Sequence, residues 1–125
     1  MSITNDAATT VRSAHEAFNL RDFARSRELT ASDCVVHVVP TGQVLHGPEG
    51  MVAYLQAWVS AVPDARTTIT SMVSDGQRVG YEFRGQGTQT GVFQSPMGDI
   101  QPSGRPIDLQ FCEMWEVIDG KIHSA

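Results

Sequence analysis

Cysteine is nearly absent. The chain has two, Cys34 and Cys112, in different segments and without metal-type spacing. That gives no support to a disulfide framework, and a reduced, cytoplasmic protein is the economical reading. No apolar run approaches the roughly 20 residues of a membrane span, and the opening MSITNDAATT is too polar for a signal peptide. Charges of one sign never cluster, and the formal net charge is −5, so neither a nucleic-acid nor an anionic-membrane partner is expected. There is no Gly-x-Ser-x-Gly elbow. The glycine-rich GQGTQTG lies within a strand pattern and lacks the Lys-Ser/Thr of a phosphate loop. His15, His37, His46 and His123 show no metal-ligand spacing and no accompanying acidic cluster, so no metal and no cofactor are expected.

What is present is a chain of 125 residues, 41% hydrophobic and 18% charged, enough for one domain, 1–125, with one core. Val11, Ala14 and Phe18 have helical spacing and predict a first helix over about 6–20, with Asn5 or Asp6 available as its cap. A short second helix is expected around 22–29. CVVHVVP reads as a strand ended by Pro40. Gly47-Pro48-Glu49 opens a third helix, because proline suits the first turn and glutamate complements the dipole. Its buried set is Val52, Leu55, Val59 and Val62, flanked by Tyr54 and Trp58, and Pro63-Asp64 ends it.

The period then changes to alternation. TTITSMV and RVGYEFRG flank Ser-Asp-Gly-Gln, where Asp75-Gly76 signals a two-residue hairpin, and the second strand is expected to run on toward Phe93. QSPMGDIQPSGRP reads as a loop, and LQFCEMWEV as a strand that enters another tight turn at Asp119-Gly120. Helices followed by hairpin strands imply an α+β fold, with helices on one face of an antiparallel sheet whose inward face floors any cavity.

Strand alternation selects the candidate chemistry. Ile107, Leu109, Phe111, Glu113, Trp115 and Val117 share one face, which places the Glu113 carboxylate in an apolar row. Glu116 falls on the opposite, solvent side. In the preceding long strand Val79, Tyr81, Phe83 and Gln89 share the apolar row, and the glycines near Gln89 are expected to leave space beneath the helices. His37 falls between Val35 and Val39 in its own strand. Three polar groups thus converge on an apolar pocket, the usual form of a small-molecule site. A carboxylate there loses hydration, its pKa rises, and it becomes suited to general acid/base work. A β-bulge would instead turn Glu113 to solvent, or it could be buried in an ion pair with an arginine such as Arg105. Gln89 and His37 are either ligand contacts or internally satisfied polar groups. Tyr54, Trp58 and Trp115 are either core residues or the walls of a pocket for a flat ring.

The order HGPEG, aromatic-rich helix, VPD, SDGQRV, GTQTG, PSGRPI, VIDGKI resembles the SnoaL-like polyketide cyclase group of the NTF2-like superfamily, from Phe18 to Ile122. That superfamily also holds ketosteroid isomerase and scytalone dehydratase. The resemblance implies a cone-shaped barrel, a curved antiparallel sheet with about three N-terminal helices around a pocket, and homodimers through the open sheet face. It implies an acid/base carboxylate on the strand before the Asp-Gly-Lys-Ile turn, here Glu113, which closes a ring by intramolecular aldol addition without a metal. Its substrate is expected to be a small apolar or aromatic carbonyl-containing molecule, held by Gln89, His37, Phe18, Tyr54, Trp58, Tyr81 and Trp115. Gln89 stands where many relatives have histidine, and glutamine cannot carry a proton at neutral pH. The last strand, ending at Ala125, is shorter than in relatives, which implies a short barrel edge or one completed by a neighbouring chain. The alternative reading is a non-catalytic ligand-binding or dimerisation module on the same scaffold.

Overall fold

The computed structural model describes residues 7–125. Three helices come first: α1 (Ala7–Asn19), α2 (Phe23–Glu28) and α3 (Gly47–Ala61). The expected caps Asn5 and Asp6 lie outside the described residues. Asp22 caps α2 through its side chain, which accepts from the Arg25 amide at 3.1 Å. Pro48 sits in the first turn of α3, and Glu49 complements its dipole.

The strands are β1 (Thr30–Val38), β2 (Gln43–His46), β3 (Arg66–Ser74), β4 (Arg78–Thr88), β5 (Phe93–Ser95), β6 (Gly98–Ile100), β7 (Pro106–Ile118) and β8 (Lys121–Ser124). Six form one curved sheet in the order β2-β1-β8-β7-β4-β3, open rather than closed into a barrel. The sheet is not wholly antiparallel: β1 and β8 pair in parallel, with Thr30 opposite Ile122. The last strand therefore lies inside the sheet and not at an edge.

Two tight turns shape the sheet. Asp119 (φ 53°) and Gly120 (φ 74°) form the loop between β7 and β8, both left-handed as a two-residue hairpin of matching twist requires. Between β3 and β4 the loop residues are Gly76 and Gln77, one position later than the sequence signal. The Asp75 amide closes on the Arg78 carbonyl, and the Asp75 carboxylate accepts from the Arg78 amide at 2.9 Å.

Long strand β4 ends at Thr88, short of Phe93, because the chain leaves the sheet at Gln89. The expected loop after it contains a small hairpin, β5 with β6, closed by the Ser95 hydroxyl, which donates to the Gly98 carbonyl and accepts from the Met97 amide. The neighbouring glycines do not open space. A Cβ at Gly91 would lie 1.9 Å from the Ser60 carbonyl oxygen, and one at Gly87 would lie 2.4 Å from Val62 Cγ1. They let the backbone abut the end of α3.

The core packs α1 and α3 against the inward face of the sheet. Val11, Met51, Val79, Tyr81, Phe83, Trp115, Val117 and Ile122 are its centre. A second cluster joins Phe18 to Ala61, Val62 and Ala65 at the far end of α3. Both cysteines are free thiols, Cys34 buried and Cys112 exposed. No helix among the described residues is long and apolar enough to cross a membrane.

Candidate functional site

The register of β4 against β7 is unbroken over eleven consecutive pairs, from Arg78 opposite Glu116 to Thr88 opposite Pro106. No bulge flips the alternation, so Glu113 stays on the inward face, directly across from Tyr81. Its carboxylate oxygen Oε1 accepts from the Tyr81 hydroxyl at 2.5 Å and from Trp115 Nε1 at 3.1 Å. The other oxygen, Oε2, has no hydrogen-bond partner among the described residues and is not sealed away. Glu113 forms no ion pair there, with Arg105 or any other cation.

In front of Glu113 is a cavity of about 850 Å³ between the sheet and the helices. Its walls are mainly apolar: Phe18 from α1, Tyr54, Leu55 and Trp58 from α3, and Phe83, Phe111 and Trp115 from the sheet. Trp58 packs edge-on against Phe93 and Phe111, and Phe83 stacks on Phe111 with their planes 5° apart. Flat, rigid walls of this kind suit a flat apolar ligand.

Burial raises the pKa of Glu113, while the hydrogen bonds from Tyr81 and Trp115 hold it partly down. Burial and then the Glu113 charge push the Tyr81 phenol far above its usual range, so it remains a donor. Tyr54 is raised chiefly by burial, with a further push from Glu113.

His15 was not selected from the sequence as a site residue, yet it belongs to this constellation. Its Nε2 lies 2.7 Å from the Tyr81 hydroxyl, and its Nδ1 lies 2.8 Å from Thr67 Oγ1. The ring packs edge-on to Phe83 at 4.7 Å and stacks at 6.3 Å from Trp115. Burial pushes its pKa down to about 4, so the ring is neutral near pH 7. A signal existed: Val11, His15 and Phe18 follow i, i+4, i+7 spacing, which puts the histidine on the buried stripe of α1.

The other expected site residues divide. Phe18, Tyr54, Trp58 and Trp115 line the cavity. Tyr81 is core, 2% exposed, and meets the site only through its hydroxyl behind Glu113. Gln89 is buried but does not line the cavity. Its Nε2 donates toward the carbonyls of Gly91, Ile100 and Gln101, and its Oε1 accepts from the Ser103 hydroxyl at 2.9 Å. Those bonds tie down the segment after β6. His37 is a correction of register. Cys34, Val36 and Val38 are the more buried row of β1, and the exposed His37 side chain takes the other face with Val35. It nevertheless lines the same cavity as Glu113. Among the described residues, no group of three or more His, Cys, Asp or Glu is placed to hold a metal.

The SnoaL-like polyketide cyclase family matches residues 8–125, nearly the whole chain. The chain belongs to that family. Among solved structures, this SnoaL-like chain is similar to IdmH from Streptomyces antibioticus, at 30% identity over 94% of this chain and 86% of that one, TM-score 0.75. A SnoaL-like protein from Jannaschia sp. CCS1 shares the fold at 20% identity, covering 94% and 80%, TM-score 0.78. A protein with a ketosteroid isomerase-like fold from Catenulispora acidiphila, in complex with trimethylamine, shares it at 17% identity, covering 92% and 80%, TM-score 0.74. No curated protein matches the sequence.

Proposed function

We propose that this SnoaL-like chain is a cofactor-independent enzyme that uses Glu113 as general base and acid on a small apolar or aromatic carbonyl compound. The observation that carries the reading is the open Oε2 of a buried carboxylate, facing an apolar cavity of about 850 Å³. Oε2 takes a proton from the carbon next to a carbonyl, and the C–H electrons pass into an enolate. The enolate carbon attacks a second carbonyl of the same molecule, and the resulting alkoxide recovers the proton from Glu113. This is an aldol ring closure; isomerisation or dehydration would use the same parts. Burial raises the Glu113 pKa, which makes its carboxylate a stronger base for taking the proton from carbon.

Tyr54, Trp58, Phe83, Phe111 and Trp115 would hold the ring system, leaving orientation mainly to shape. The reading includes a homodimer through the open sheet face, where the exposed Val73 and Met114 flank Gly80 across three paired strands. Sedimentation velocity reads that state directly: a monomer at micromolar concentration removes the dimer from the reading.

The test of the chemistry is hydrogen–deuterium exchange at the α-carbon of an aromatic ketone such as 2-tetralone in D2O, followed by proton NMR. The wild-type chain should accelerate exchange, and Glu113→Gln should abolish the acceleration while keeping the fold. Equal exchange by both proteins overturns the assignment. Binding of the ketone without exchange in the wild type favours the ligand-binding module instead.

A further inference from the structure

The hydrogen bonds behind Glu113 form a chain whose direction can be worked out. Tyr81 has one hydroxyl proton, and its oxygen lies 2.5 Å from Glu113 Oε1 and 2.7 Å from His15 Nε2. An ionised carboxylate only accepts, so the Tyr81 proton is given to Oε1. The Tyr81 oxygen must then accept from His15, which requires a hydrogen on Nε2. The neutral ring leaves Nδ1 bare, and Nδ1 accepts from the Thr67 hydroxyl at 2.8 Å, nearer than that hydroxyl's other acceptor, Asn19 Oδ1, at 3.4 Å. Thr67 is itself fixed: its amide donates to Asn19 Oδ1 at 2.9 Å, and Asn19 Nδ2 donates to its carbonyl at 3.0 Å. Three elements, α1, β3 and β4, thus hold one hydroxyl in one orientation.

We infer that His15 is a positioning residue: its Nε2–H keeps the Tyr81 hydroxyl turned to Glu113 Oε1, which leaves Oε2 as the oxygen that exchanges protons with a ligand. This deepens the role proposed for Glu113 and rests on it. Without the histidine donor, the Tyr81 oxygen loses the bond that fixes its lone pairs. Its hydroxyl then rotates more freely, and its support for the charged carboxylate weakens. The groups that face Glu113 are Tyr81 and Trp115 from the sheet and Tyr54 from α3. Those around the outer side of His15 are Arg12 and Glu16 of α1 and Arg66 of β3, which line a shallow cleft there. None of these three forms an ion pair with His15 among the described residues.

The test needs no substrate. In the full chain, imidazole 15N shifts report the His15 tautomer, and the 13C shift of the Glu113 carboxyl reports its titration. Above the Glu113 midpoint, His15 should be the Nε2–H tautomer. His15→Gln, whose amide keeps an N–H donor, should hold the midpoint near wild type, and His15→Phe should move it to higher pH. A Nδ1–H tautomer, or an unchanged midpoint in a folded His15→Phe variant, overturns the inference. Should the Phe variant fail to fold, the wild-type tautomer still decides. A wild type with the expected tautomer but no ketone exchange sinks the catalytic role of Glu113 and leaves the positioning role standing.

Discussion

Glu113 and Gln89 occupy the same kind of position. Each is a polar residue that strand alternation puts in an apolar row: Gln89 is buried just past the end of β4, and Glu113 is half-buried on the inward face of β7 with its carboxylate desolvated. Their surroundings differ in one respect. Around Gln89 the irregular chain after β4 and β6 brings carbonyls at 91, 100 and 101 and the Ser103 hydroxyl within reach, and the amide bonds to all of them. Around Glu113 the neighbours are side chains on a fully paired strand, and they reach only one of its two oxygens. A buried polar group next to irregular backbone is absorbed into the structure. One in the middle of a regular ladder keeps capacity for a ligand, because the ladder has no backbone groups to spare.

The largest expected effect breaks the pair apart by chemistry. Glu113→Gln should lower ketone exchange about 10²- to 10⁴-fold, the usual worth of a general base. Gln89→Glu should leave exchange within roughly threefold, since that position does not touch the cavity. Next in size is stability. Gln89→Glu replaces a donor facing three carbonyls with an acceptor, and should lower the unfolding free energy by about 1–3 kcal/mol in urea titrations. A loss that small at Gln89 together with a large loss of exchange would reverse the roles assigned to the two residues.

A pH series separates two buried groups by the sign of their slopes. The folded chain holds the Glu113 proton to a higher pH than the unfolded chain does, so this group's stabilising contribution is present below the ordinary glutamate range. It is lost as pH rises toward the raised folded value. His15 acts oppositely. Its folded pKa of about 4 lies below its ordinary 6.5, so the unfolded chain binds the proton first, and stability falls as pH drops from 6.5 toward 4. Glu113→Gln should flatten the first slope and His15→Gln the second, each read from denaturation midpoints across pH. The smallest effect is expected from Trp115→Phe. It removes one donor from Oε1, should shift the Glu113 titration upward, and should cost about 1 kcal/mol.

The sequence carried β4 and β7 well because their two faces differ sharply in polarity. In β1 they do not: CVVHVVP is apolar on both rows, and only packing beneath α3 decides that Cys34, Val36 and Val38 turn inward. His37 therefore takes the more exposed row, while still lining the cavity. His15 was missed although its helical spacing was readable, because what gives it meaning is Tyr81, 66 residues away. The glycines around Gln89 read as empty space, but the close approach of α3 that they permit is a tertiary contact with no local signature. The helices, the Asp-Gly turns and the inward Glu113 were all local in origin, and those the structure retains with small shifts.

The parallel pairing of β8 with β1 has a consequence in time. Strands β1 and β2 and strands β7, β4 and β3 are two separate ladders, and the four residues of β8 are what join them. During synthesis the residues of the first ladder and of the helices emerge well before residues 121–124, which complete the inward face of the sheet. Contacts of such long sequence separation form late and slow the search for the native state. The cavity in front of Glu113 thus depends on a long-range pairing, and until β8 is in place its aromatic walls are exposed to any apolar surface nearby.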